Sequence, residues 1–337
     1  MTLVIFEGSV QLERNLQSQN NVLKMTPVQN FSFTTFTLTG FHDLGEWRPI
    51  LSIPYLLMFL LSSTSNLTLI YLIISQRALH SPMCILIGLM AVVDLFLPIF
   101  CVPNMLLSFL FNWKGISLVG CLVQMFCIYF VGTFQSTILL WMALDRFFAI
   151  CRPLYYHKYM EMSNFLKFII FPVIRNLFFI TTMVSWAGKL TFCATNEIDH
   201  CFCEHMALVQ LACGDISINN AVGLLAVFLT ITADFIFITI SYIAILSSIL
   251  RSGKACLKAV NTCITHIIVM TVSLTFALIA FMSYRIRNNF SPSSRVFLST
   301  MYLLFPSCFN PIIYGVRTKE IREQFLKFMN HLKVSPK

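Results

Sequence analysis

The chain is 337 residues long, 57% hydrophobic and 11% charged, with a mean hydropathy of +0.78. Soluble domains carry about a quarter of their residues charged, so this composition excludes a soluble enzyme or binding module and predicts an integral membrane protein. The formal net charge of +9 has the sign that suits nucleic acid, but no His/Cys grouping has zinc-finger spacing and no Lys/Arg run is long; a basic excess on cytoplasmic loops explains it instead.

In chain order, residues 1–48 are predicted to be an extracellular amino-terminal tail. The apolar stretch Met1 to Phe6 is too short and lacks the basic start of a signal peptide, so the first membrane helix is expected to carry the tail outward. Asn30-Phe31-Ser32 is a glycosylation acceptor that becomes usable on that side. Asn289-Phe290-Ser291 is a weaker one, followed by Pro292 in a short loop.

Apolar runs then recur at 50–75, 83–110, 118–145, 165–187, 218–250, 260–284 and 296–316. A bilayer needs about 20 apolar residues per crossing, so the fold class is an all-α membrane protein, a seven-helix bundle over 49–316. Residues 317–337 form a cytoplasmic tail with a short amphipathic helix after the seventh crossing. Twelve Lys/Arg between the runs share the side on which Asp145 and Arg146 emerge, from Arg77 and Arg152 to Lys337; eight lie on the other, spread over longer segments. That bias puts the amino terminus outside. Trp47, Trp113 and Trp186 fall near the outer ends of helices, as an interfacial belt requires. No internal repeat supports a transporter, the reading from a different class.

Polar residues inside apolar helices mark function, because they are expensive there. Asn66 in the first helix, Asp94 in the second, and Asn310-Pro311 with Tyr314 in the seventh are such residues. Pro311 removes a helix hydrogen bond and permits a kink with two arrangements. Arg175 and Asp234 are also intramembrane charges, read as a structural pair or a loop anchor. The third run ends in Met142-Ala-Leu-Asp-Arg-Phe-Phe-Ala-Ile-Cys-Arg-Pro153. Adjacent helical residues point about 100° apart, so Arg146 is free to reach neighbouring helices that Asp145 does not face.

Seven of the twelve cysteines fall in membrane or cytoplasmic positions, where they act as small buried hydrophobes. Cys121, Cys193, Cys201, Cys203 and Cys213 lie on the oxidising side, an odd number whose pairing the sequence leaves open. His200, Cys201, Cys203 and His205 also offer soft metal ligands, an alternative that a disulfide through any of them removes.

The Met142–Pro153 stretch resembles the Asp-Arg-Tyr switch of rhodopsin-like G-protein-coupled receptors and the longer signature of odorant receptors, with Leu144 and Phe147 in place of its tyrosines. Lys258-Ala-Val-Asn-Thr-Cys-Ile-Thr-His266, Ser241-Tyr242 and His80-Ser-Pro-Met83 are similar to landmarks of the same family. The segment Phe192 to Cys213 resembles the second outer loop of class I, or fish-like, odorant receptors, and the likeness covers about 36–326. It implies disulfides Cys121–Cys203 and Cys193–Cys213, a G-protein switch of Asp145, Arg146, Tyr242, Asn310, Pro311 and Tyr314, and a polar network through Asn66 and Asp94. Because relatives' tails begin near Met25, residues 1–24 read as a dispensable extension. The resemblance further implies a plasma-membrane receptor, sited in olfactory cilia, that binds a small odorant and drives a stimulatory olfactory-type G protein to raise cyclic AMP. Its partners would include membrane lipids and export chaperones. A metabolite-sensing receptor of the same fold is the alternative within the superfamily.

Residues 122–136 contain no acid to bind an amine, and 296–316 no lysine for a retinal Schiff base, so no cofactor is called for. Phe126, Tyr129, Phe130, Phe134, Phe276 and Phe281 make an apolar cleft instead. By the same resemblance Arg285, 19 residues after His266, and His205, two after Cys203, match ligand-contacting positions. Tyr129 stands where acid-binding relatives have histidine. Two ligand classes follow, a carboxylic acid held by Arg285 and a neutral oxygenated molecule.

Overall fold

The computed structural model describes residues 32–160, 162–252, 257–285 and 290–334. The bundle consists of α1 (Ser52–Ser75), α2 (Pro82–Phe111), α3 (Leu118–Cys151), α5 (Met162–Gly188), the pair α7 (Ser217–Val227) and α8 (Ala233–Ser252), α9 (Leu257–Arg285) and α10 (Pro292–Arg317). Short helices α4 (Pro153–Met160) and α6 (His205–Val209) lie in connections, and α11 (Lys319–Val334) follows the bundle. Among the described residues, six crossings are long and apolar enough to span a membrane, and α9, with its apolar stretch Thr271–Tyr284, is a seventh. The seven-helix expectation holds.

The starts of three helices are written in serine. Ser81, Ser117 and Ser291 accept hydrogen bonds from the backbone nitrogens of Cys84, Gly120 and Ser294 at 3.4, 3.1 and 3.2 Å, and Pro82 and Pro292 occupy first helical positions. Each cap satisfies a donor that the helix itself leaves orphaned. Large apolar side chains such as Leu57, Ile74 and Phe171 point out of the bundle, the orientation that lipid contact favours. Inside, Trp141 of α3 packs with Met90, Ile138 and Ile245 in a core that also holds Tyr242 and Tyr314.

The chain also forms a small sheet that an all-helical reading omits. β1 (Thr35–Leu38) pairs antiparallel with β2 (Gly115–Ser117) and parallel with β3 (Glu197–Ile198), in the order β2-β1-β3. Thr35-Phe-Thr-Leu38 alternates as a half-buried strand does, with Phe36 and Leu38 buried, but strands of two to four residues leave little periodicity to detect. The sheet ties the tail to the loop before α6. Gly40 follows it, where a Cβ would lie 2.6 Å from the backbone nitrogen of Cys201. Only glycine allows that approach.

A π-helical turn, Phe228–Thr232, joins α7 to α8. Turns of this kind add a residue to the helix and frequently sit at functional sites.

Candidate functional site

At the sheet-bearing end the bundle encloses a cavity with about 890 Å³ of space between atoms, part of it continuous with solvent. Its walls come from α3 (Ile128, Tyr129), α5 (Ile180, Met183), the π turn, α9 (Phe281) and α10 (Ser299, Tyr302). Phe202 and Glu204 of the 189–216 loop close it from above. Mostly apolar walls with a few polar groups are the usual form of a small-molecule site.

The loop is fixed over the cavity by covalent and polar ties. Disulfides join Cys121 to Cys203 and Cys193 to Cys213, so Cys203 is not free for a metal and Cys201 remains a buried thiol. Gln124 of α3 donates to the Phe100 carbonyl at 2.8 Å and accepts from the Cys203 backbone nitrogen at 3.0 Å. One residue on, Glu204 accepts from the Tyr129 hydroxyl at 3.0 Å and caps α6 through the Ala207 nitrogen at 2.6 Å. The Tyr129 oxygen in turn accepts from the His205 nitrogen at 3.2 Å. Behind them His200 is fully buried; burial and nearby Arg295 lower its pKa to about 3.

Below the cavity three polar clusters run through the bundle. Pro311 has no N–H, so the Ser307 carbonyl one turn earlier lacks its helical donor; Ser62 and Asn66 of α1 supply donors to it at 3.0 and 2.9 Å. Asp94 of α2 accepts from Gln135 at 2.6 Å and Asn310 at 3.1 Å. Asp234, immediately after the π turn, pairs with Arg175 of α5 at 2.8 Å and accepts from Ser136 and Thr137 of α3 at 2.9 and 3.1 Å. The two intramembrane charges therefore neutralise each other.

At the far end of α3, Arg146 Nε lies 3.7 Å from Asp145 Oδ2, and the Tyr156 hydroxyl of α4 donates to Asp145 Oδ1 at 2.9 Å. Tyr242 and Tyr314 are buried in the core above this pair.

A family model described as olfactory receptor matches residues 55–331. The chain is 37% identical to olfactory receptor 52K1 of Homo sapiens over 293 residues, 86% of this chain and 93% of the relative. It is 36% identical to human olfactory receptor 52D1 over 304 residues (89% and 96%) and 33% identical to human olfactory receptor 51E1 over 300 (89% and 94%). The chain belongs to the olfactory receptor family. Its relatives in subfamilies 51 and 52 give it the class I type. It is a multi-pass membrane odorant receptor coupled to G proteins, and not an enzyme.

Within this receptor the residues singled out from sequence fall in different places. Tyr129 lines the cavity, whereas the His205 side chain is buried in α6 and is not among the lining residues. The Arg285 side chain, Asn30 and Asn289 lie outside the described residues. The sequence reading did not single out Glu204, Gln124, Gln135 or Tyr156. Glu204, beside a cysteine in a loop, and Tyr156, past the end of the third apolar run, look solvated, whereas Gln124 and Gln135 lie inside that run without a formal charge to mark them; the fold shows which neighbour each reaches.

Proposed function

We propose that the receptor binds a small neutral oxygenated molecule beneath the 189–216 loop and couples to a stimulatory olfactory-type alpha subunit, raising cyclic AMP. The observation that carries the ligand class is the cavity lining. Its one formally charged member among the described residues is Glu204, which repels a carboxylate and accepts from an alcohol. In this reading the sheet-bearing end is extracellular, where oxidising conditions suit both disulfides, Asn30 carries a glycan, and export to the plasma membrane of cilia draws on chaperones. The Asp145 end is cytoplasmic, consistent with its Lys/Arg bias.

Binding favours a state in which the end of α9 opposite the cavity moves away from Arg146 and admits the carboxy-terminal helix of the alpha subunit. The ligand drives this only by binding that state more tightly. Asp145, Arg146, Tyr242, Asn310, Pro311 and Tyr314 serve as the switch, with Asn66 and Asp94 as the polar network behind it.

Matched series of short alcohols, aldehydes, esters and acids, assayed for cyclic AMP in cells expressing the full chain, test the ligand class. Alcohols or aldehydes are expected to outperform the corresponding acids. The alternative, a carboxylate held by Arg285, predicts that acids lead and that Arg285→Ala loses the acid response while sparing its methyl ester.

A further inference from the structure

A second chamber with about 520 Å³ between atoms lies below the ligand cavity. Gly132, Ile231, Ala277 and Tyr302 line both spaces, so these four residues, from α3, the π turn, α9 and α10, form the neck between them. At Gly132 no side chain narrows it: an added Cβ would meet one atom within 4 Å, the Tyr302 hydroxyl oxygen at 3.7 Å. Across from it, the Tyr302 side chain lines both spaces. One wall of the neck thus carries no side chain, and the other carries the Tyr302 ring, packed against the core that holds Ile128 and Leu303.

The lower chamber is suited to an apolar chain end. Leu139, Phe235 and Ile238 contribute hydrocarbon, and three of the polar residues beside them, Gln135, Ser136 and Asn310, are already engaged. Gln135 and Asn310 donate to Asp94, and Ser136 donates to the Thr133 carbonyl and Asp234. A ligand polar group placed there would compete with these bonds; a methylene chain would not.

Building on the ligand reading above, we propose that the receptor measures the length of an unbranched aliphatic odorant: the polar head stays beneath Glu204 and Tyr129, and the tail passes Gly132 and Tyr302 into the lower chamber. Burial of each methylene beyond the neck raises affinity about fourfold. Branching near the tail blocks entry. Gly132 is the specificity-determining residue, because any side chain there intrudes on the passage.

The test uses the full receptor and the straight-chain primary alcohols from butanol to decanol, with cyclic AMP potency normalised to surface expression. Wild type is expected to gain about fourfold per carbon over the lengths that enter the lower chamber. Gly132→Val should abolish that gain, lowering the potency of the long members at least about tenfold more than that of the short ones. Ala277→Val narrows the same neck from α9 and should reproduce the pattern, so a folding failure of one variant leaves the other to decide. Potency independent of length in wild type, or a uniform loss or no loss across lengths in the variants, overturns the inference. If the receptor answers only branched or cyclic odorants, the length inference falls and the odorant-receptor reading stands. Silence toward every odorant class at normal surface expression removes both.

Discussion

Asp145 is held from two sides, by Arg146 at 3.7 Å and by the Tyr156 hydroxyl at 2.9 Å. Because Phe147 has no hydroxyl, the tyrosine bonded to Asp145 comes from α4 and not from the Asp145–Phe147 stretch itself. A hydrogen bond to a charged group contributes about 1.5–3 kcal/mol. Tyr156→Phe is therefore expected to raise basal cyclic AMP several-fold, and Asp145→Asn, which also weakens the pair with Arg146, to raise it further. Unchanged basal signalling in both variants at equal expression would remove the restraint. His200 gives a second expectation at this scale. Its folded pKa of about 3 lies below the ordinary 6.5, so the neutral form is the folded one. The stability it contributes is complete above pH 6.5 and is lost progressively as pH falls toward 3. Between pH 7.5 and 5.0 the loss is about 2 kcal/mol, read as a lower melting temperature of the detergent-solubilised receptor. His200→Gln should flatten that dependence, and an equal drop in both proteins would assign it to other groups. Residues at this scale were legible where a charge interrupts an apolar run, as Asp94, Asp145 and Arg146 do. Glu204 and Tyr156 were not, since their meaning depends on which helix lies opposite.

The helices themselves were legible from length and hydropathy. The apolar runs 83–110 and 296–316 became Pro82–Phe111 and Pro292–Arg317, with serine caps and prolines marking their starts. What hydropathy does not encode is register within a crossing: the π turn at Phe228–Thr232 reads as ordinary apolar helix, and β1 to β3 are too short for a period. The π turn is anchored at its lower end by Asp234, so the α3, α5 and α8 contacts through Ser136, Thr137 and Arg175 hold one wall of the ligand cavity. Removing one member of a buried ion pair leaves an uncompensated charge and costs about 3–5 kcal/mol. Arg175→Met is expected to destabilise the receptor by that order. The double variant Arg175→Met/Asp234→Leu should recover most of the loss, because Ser136 and Thr137 retain the Thr133 carbonyl as acceptor at 2.8 and 3.1 Å. Thermal melts of the three proteins check this. A double variant as unstable as the single one would mean that the pair acts through its shape and not its charge.

Across the whole molecule, the cavity and the Asp145–Arg146 pair sit at opposite ends of α3, with Asp94, Gln135 and Asn310 between them. The kink that Pro311 permits in α10 is bridged to α1 by Ser62 and Asn66. Packed helices with such bridges move between discrete arrangements and do not bend continuously, the proposed route by which occupancy of the cavity acts on Arg146, about 25 Å along α3 from Tyr129 at about 1.5 Å per helical residue. The central claim is that odorant binding acts on a G protein through Arg146. It is tested most directly by ligand-stimulated GTP exchange on a stimulatory alpha subunit, measured for wild type and Arg146→Ala at matched surface expression with an alcohol or aldehyde that activates the wild type. Exchange that rises with ligand in wild type and stays at baseline in Arg146→Ala is the expected result; an undiminished ligand response in Arg146→Ala would contradict it.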